Sequence, residues 1–208
     1  MIIQYIIGGL LSVLTPVVAF WLIFLIIAFN NFRLTTKRYI ISLIGFGLVV
    51  IGSYVIYGIL IPKTADLFLI TDSNVVFIVL YTVLYIVFGL WIIGVITIKT
   101  NNIVIKQILR MLIVLIIGIV FSYSAISNTD SIFWNIIVSD MSIDGLSSII
   151  IPLTGFAFGL FISVGLILVL TSGLIKKLSE KKWWKIVKVS SGSLFLVLFI
   201  IALLLKIK

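Results

Sequence analysis

The chain has 208 residues, a formal net charge of +9, and neither cysteine nor histidine. It is 63% hydrophobic and 10% charged, with mean hydropathy +1.44, whereas soluble domains are about half apolar and about a quarter charged. These values exclude an ordinary soluble domain, and with it disulfides, dithiol redox chemistry and Cys/His ligation of zinc or haem within the chain.

A membrane-spanning helix needs about 20 apolar residues. Six stretches reach that length, and the chain from 1 to 208 reads as one all-α, polytopic transmembrane domain. The first, Tyr5–Phe29, contains GGLLSVLTPVVAF: Gly8, Gly9 and Ser12 precede the pair Thr15-Pro16. Proline inside a helix removes a backbone donor and clashes with the preceding turn, so a bend is expected there. The N-terminal stretch lacks a basic region and an Ala-x-Ala site, which reads as a retained span. The second span is Tyr39–Ile61 and the third Val75–Ile98. The fourth, Ile108–Ile126, ends in a polar run of Ser122, Tyr123, Ser124, Ser127, Asn128 and Thr129 before Asp130. The fifth, Ser148–Leu174, carries Gly155 and Gly159 at the spacing that lets helices approach closely. The sixth is Ile186–Leu205. No ten-residue alternation of a β-barrel is present, so backbone polar groups must be satisfied within helices.

The loops alternate in charge. Arg33, Lys37 and Arg38 fall in the first, Lys99 and Lys106 in the third, and Lys176, Lys177, Lys181, Lys182 and Lys185 in the fifth. The second and fourth hold Asp66, Asp72, Asp130, Asp140 and Asp144 against Lys63. By the positive-inside rule this is a multi-pass protein of the cell membrane with both termini extracytoplasmic. The basic excess is then a topology signal beside anionic lipid, and nucleic acid is excluded as a partner. Trp183 and Trp184, among the lysines of the fifth loop, read as interfacial anchors at the headgroup level.

The starts of the second and fifth spans match. Ile41-Ser42-Leu43-Ile44-Gly45-Phe46 aligns with Ile151-Pro152-Leu153-Thr154-Gly155-Phe156 at an offset of 110 residues. An odd number of spans per half gives halves of opposite orientation, so the expectation is a 3+3 inverted repeat, roughly 1–100 and 101–208. Under that repeat, Gly8, Gly9, Ser12, Thr15 and Pro16 of the first span correspond to the region of Ser124, Asn128 and Thr129 in the fourth. Small and polar interruptions at matched positions point to a midplane cavity. The other reading of the same residues is that hydroxyls bond back to their own helix and Pro16 merely bends it.

The first span resembles that of the CcdA-type cytochrome c biogenesis proteins and the membrane domain of DsbD, whose form is G-L-L-S-x-L-S-P-C-V-x-P. GFAFGLFISVGL in the fifth span and KVSSGSLFLVLFI in the sixth are similar to that family too. The resemblance implies six helices in an inverted repeat. In the family, Pro-Cys pairs in the first and fourth helices carry electrons across the membrane. Here Val17 follows Pro16, Phe20 stands at the second proline position, and the fourth span has no Pro-Cys. Thiol–disulfide exchange requires a thiolate, so the scaffold is implied and the redox activity is not. The LTP of the first span also resembles the LysE-type exporters, whose following Pro-Gly and fourth-helix Asn-Pro are missing here; Asn128 precedes Thr129.

No ionisable residue lies near the middle of a span, and no acid–base pair, metal cluster or activated nucleophile is legible. The sequence therefore points away from an enzyme and implies no cofactor. One expectation is a non-redox, CcdA-like subunit or assembly factor whose partners are the bilayer and other membrane subunits. The alternative is a small-solute exporter or permease with a cavity between the first and fourth spans.

Overall fold

The computed structural model describes residues 2–32, 36–60, 75–98, 101–127 and 146–206. Those residues form helices α1 (Ile2–Leu11), α2 (Pro16–Asn31), α3 (Thr36–Leu60), α4 (Val75–Ile93), α5 (Ile103–Ser127), α6 (Leu146–Ser179) and α7 (Trp184–Lys206), with a 3₁₀ turn at Ser12–Leu14 and no strand among them. Four segments, Thr36–Ile56, Ile103–Ala125, Ile150–Ser179 and Trp184–Ile201, are long and apolar enough to cross a membrane. The bent pair α1–α2 makes a fifth when taken as one span. The protein is a helical, multi-pass membrane protein.

The first expected span is broken and not merely kinked. Its two arms lie at 76° to one another. Thr15 takes an extended conformation (φ −71°, ψ 142°), and Pro16 opens the next helix at its first turn, where its missing N–H has no partner to lose. The break is locally satisfied: Ser12 Oγ donates to Gly9 O (2.6 Å), and Thr15 Oγ1 donates to Ser12 O (2.6 Å). At about 1.5 Å per residue, neither arm alone matches a bilayer.

The third span also ends early. Helix α4 stops at Ile93, not Ile98, because Gly94 adopts φ +85°. Gly94 N–H donates to Trp91 O and Val95 N–H to Leu90 O, which together close the last turn as a Schellman cap. Gly94→Ala is expected to lower stability by about 1–2 kcal/mol, the penalty of a left-handed L-residue. The added methyl would also lie 3.3 Å from Lys188 Nζ. Thermal unfolding in mild detergent checks this. At the other end of its loop, α5 begins five residues before expected Ile108, because Asn102 Oδ1 accepts from Val104 N–H (2.9 Å) and Ile105 N–H (3.2 Å). Helix α6 runs past Leu174 to Ser179.

Helix α2 is the axis of the bundle. Val18, Trp21, Leu22, Phe24, Leu25, Ile27, Ala28 and Phe29 are all buried, and among its described side chains only a narrow strip at Ala19, Phe20 and Ile23 is exposed. It touches α4, α5, α6 and α7. Trp21 is the hub of an aromatic cluster with Phe88 (5.5 Å), Phe195 (5.3 Å), Tyr85 (6.1 Å) and Phe121 (6.1 Å). Offset and edge-on rings of this kind add about 0.5–1.5 kcal/mol per pair beyond burial.

Glycines set the helix crossings. A Cβ at Gly9 would sit 2.0 Å from Phe156 O, and one at Gly159 would sit 2.0 Å from Ile6 O. Gly155 faces Tyr5 Cβ at 3.1 Å from its would-be Cβ. Thus α1 and α6 run in the same direction, backbone against backbone, and their contact is the most extensive between any two elements. Helices α3 and α5 are also parallel: Gly45 faces Val114, and Gly118 faces Val49 and the carbonyl of Phe46. Helices α4 and α7 are antiparallel, Gly89 against Leu196 and Gly192 against Ile93. In lipid, where apolar area alone does not drive helices together, such close approach supplies the packing contact.

Candidate functional site

The residues expected to line a cavity between the first and fourth spans have other partners. Gly9 and the buried Ser12 face α6 and their own backbone. Gly8 is half-buried, and a Cβ there would meet only Phe156 Cδ2, at 3.8 Å. Thr15 and Pro16 form the helix break. The buried Ser124 shares a hydrogen bond with Tyr85 of α4, and Ser122 Oγ donates to Gly118 O (2.7 Å). Asn128 and Thr129 lie outside the described residues. Hydrogen bonds to a helix's own carbonyls or to a neighbouring helix satisfy these groups without a ligand.

A cavity of about 820 Å³ lies elsewhere, at the end of the bundle that carries the lysine-rich corner of α6 and α7. Helix α2 contributes Ile26, Phe29, Asn30 and Asn31; α3 contributes Thr36 and Tyr39. From α6 come Leu168, Thr171, Ser172, Gly173, Ile175, Lys176 and Ser179, followed by Glu180, and from α7 come Trp184 and Lys188. Both halves of the chain therefore wall it. Its size is within the range of small-molecule sites, about 300–1,000 Å³.

The walls are held by hydrogen bonds that tie helix ends together. Asn31 Nδ2 donates to Trp91 O (2.7 Å) and Ile92 O (3.2 Å), closing the last turn of α4 with the last residue of α2. Trp91 Nε1 returns a bond to Ala28 O (3.2 Å). Tyr39 Oη donates to Leu168 O (2.9 Å), fixing α3 to α6. Thr171 Oγ1 donates to Ile167 O (2.7 Å), Ser172 Oγ to Val169 O (2.7 Å) and Ser179 Oγ to Lys176 O (2.7 Å). Phe29 forms the inner wall, with its ring against Phe32, Tyr39 and Phe46.

The tryptophan pair divides. Trp183 is 46% exposed, whereas Trp184 is 7% exposed and belongs to the cavity wall. The two rings meet edge-on at 6.2 Å. Lys176 and Lys177 close the last turn of α6, where cations complement the helix dipole. Asn30-Asn31, just past the end of the first expected span, and Thr171-Ser172, just inside the end of the fifth, were the sequence signals for this site. Their pairing across 140 residues of chain is a tertiary fact. Among the described residues no group of three or more His, Cys, Asp or Glu side chains could hold a metal ion.

No family model matches the chain, and no curated protein or solved structure matches it.

Proposed function

We propose that this protein is a small-solute permease of the cell membrane, built as six spans in a 3+3 inverted repeat, with the 820 Å³ cavity as its cytoplasm-facing vestibule. The cavity carries the reading: it mixes polar and apolar side chains, is walled by both halves of the chain and lies at one end of the bundle. Helix α4 and the joined pair α1–α2 supply the spans beyond the four straight ones.

Matched contacts support the repeat. An offset of 110 residues converts Gly8, Ser12, Gly45 and Phe46 into Gly118, Ser122, Gly155 and Phe156. The parallel pair α1–α6, in which Gly8 and Gly9 both face Phe156, thereby corresponds to the parallel pair α3–α5, in which Gly118, the counterpart of Gly8, lies near Phe46 O. Ser12 and its counterpart Ser122 each bond back to a carbonyl of the preceding turn, Gly9 O in one and Gly118 O in the other. The third helices of the halves follow an offset of 103: Gly89 meets Leu196, and Gly192 meets Ile93, a contact that maps onto itself. Contacts of α2 with α7 and of α5 with α4 form another exchanged pair. Helix directions agree with six alternating spans, since the first and fifth, and the second and fourth, run parallel while the third and sixth run antiparallel. Pseudo-twofold relation of halves with a site between them is the plan of many transporters, and it is the plan implied by the CcdA- and LysE-type resemblance.

Orientation follows from loop charge and is checked in a chain that has no native cysteine to remove. Lys182→Cys is expected to react with a membrane-impermeant maleimide only after cells are opened, and Asp130→Cys in intact cells. The reverse pattern would invert the topology and turn the cavity outward. For transport, the full chain in proteoliposomes is expected to accelerate osmotic swelling for at least one class of small polar solute, read by light scattering. Swelling rates equal to empty vesicles for every solute, with other membrane proteins retained on purification in mild detergent, would favour a structural subunit of a membrane complex instead.

A further inference from the structure

We propose that the cavity takes a neutral polyhydroxyl solute, an assignment that rests on the permease reading for its transport but not for its binding. Hydrogen-bond directions in the wall carry it. A carbonyl oxygen cannot donate, so in each pair of hydroxyl and carbonyl the hydroxyl gives its one proton. Tyr39, Thr171, Ser172 and Ser179 all line the cavity, and all four commit that proton to a carbonyl of α6. Asn31 likewise turns its amide N–H toward Trp91 O and Ile92 O, which leaves its carbonyl oxygen. What these five side chains retain is acceptor capacity, so a ligand that meets them must bring donors, while Asn30 and Thr36 add an amide and a hydroxyl that can donate as well as accept.

Charge narrows the class. Lys176 and Glu180, one turn apart at the end of α6, oppose each other in sign. Lys188 stands beside Gly94 at the C-terminal end of α4, where helix carbonyls carry partial negative charge. An anion would meet four wall hydroxyls whose protons point away from it. An organic ammonium would find the acceptors but also two lysines. A polyol donates into the hydroxyl oxygens, accepts from the ammonium groups, and lays its C–H face on the rings of Phe29 and Trp184.

The position of Trp184 in the wall gives a binding readout independent of flux. The full chain in lipid nanodiscs is titrated with sorbitol, methylammonium and inorganic phosphate while tryptophan fluorescence is followed. Sorbitol is expected to give a saturable change that is lost in Trp184→Phe. Its affinity is expected to fall about three- to tenfold in Thr171→Val/Ser172→Ala, which removes two acceptors with little change in volume. Saturation by methylammonium or phosphate without sorbitol, no response to any probe, or undiminished sorbitol affinity in the double variant would each overturn the assignment. Sorbitol bound but not carried by proteoliposomes would leave the ligand class standing and remove the permease reading. Transport of methylammonium or phosphate alone would do the reverse.

Discussion

Gly9→Ala and Gly159→Ala are each expected to destabilise the protein by about 1–3 kcal/mol or more, the range for inserting a methyl into a filled interior. The new Cβ would in each case fall 2.0 Å from a backbone carbonyl oxygen, Phe156 O or Ile6 O, and a carbonyl inside a helix cannot swing aside as a side chain can. Either the helices separate or the local backbone shifts. Gly8→Ala is the internal control: one residue away, its Cβ would meet only a ring carbon at 3.8 Å, ordinary contact, and the change should be close to neutral. Both disruptive glycines belong to one crossing, Gly9 facing residues 156–160 and Gly159 facing 6–10. The double variant should therefore cost less than the two singles together, because helices already parted by the first methyl accommodate the second. Thermal unfolding in detergent of the four variants tests this. Equal melting of Gly8→Ala and Gly9→Ala would show that α1 does not pack on α6 as described.

Gly173→Trp should abolish solute flux while leaving the melting temperature within a degree or two of the parent. Gly173 lines the cavity, and a Cβ there meets nothing within 4 Å, so a side chain can start there without a clash and grow into the space beside it. The indole would occupy part of the 820 Å³ and block access between α3, α6 and α7. The contrast with Gly9 separates function from folding: one glycine is needed because backbone lies against it, the other borders empty space. Loss of swelling in Gly173→Trp proteoliposomes, with unchanged insertion and melting, is the expected result. Undiminished flux in a properly inserted Gly173→Trp protein would remove this cavity from the transport path.

How much of this was legible in the residues differs from feature to feature. Thr15-Pro16 announced a disturbance in the first span, since proline cannot continue a helix without losing a bond. It did not say whether the result was a bend or a break; that depended on Ser12 and Thr15 finding carbonyls to satisfy. Gly155 and Gly159 announced a close crossing, but their partner, α1, is the first helix in chain order, far from them in sequence. Gly94 carried a readable signal, a glycine after an apolar run, and the structure shows it ending α4 with φ +85°. Trp184 is identical in type and setting to Trp183, and nothing in KKWWK distinguishes the buried ring from the exposed one.

The sequence by itself determined the solvent: runs of about 20 apolar residues can satisfy their backbone in lipid only as helices, and charged loops can lie only at their ends. It also excluded thiol and histidine chemistry by omission of both side chains. Only the tertiary structure decided which faces meet. In a soluble helix the polar face marks water, but here lipid and protein interior are both apolar, so Ile41, Ile44 and Leu48 on the outside of α3 read no differently from Leu43, Phe46 and Val50 on the inside. For that reason the central place of α2, the glycine crossings and the cavity at the helix ends had to be read from packing. The hydrophobic pattern fixes that the chain is helical and lies in a membrane, and close backbone contact fixes how the helices stand together.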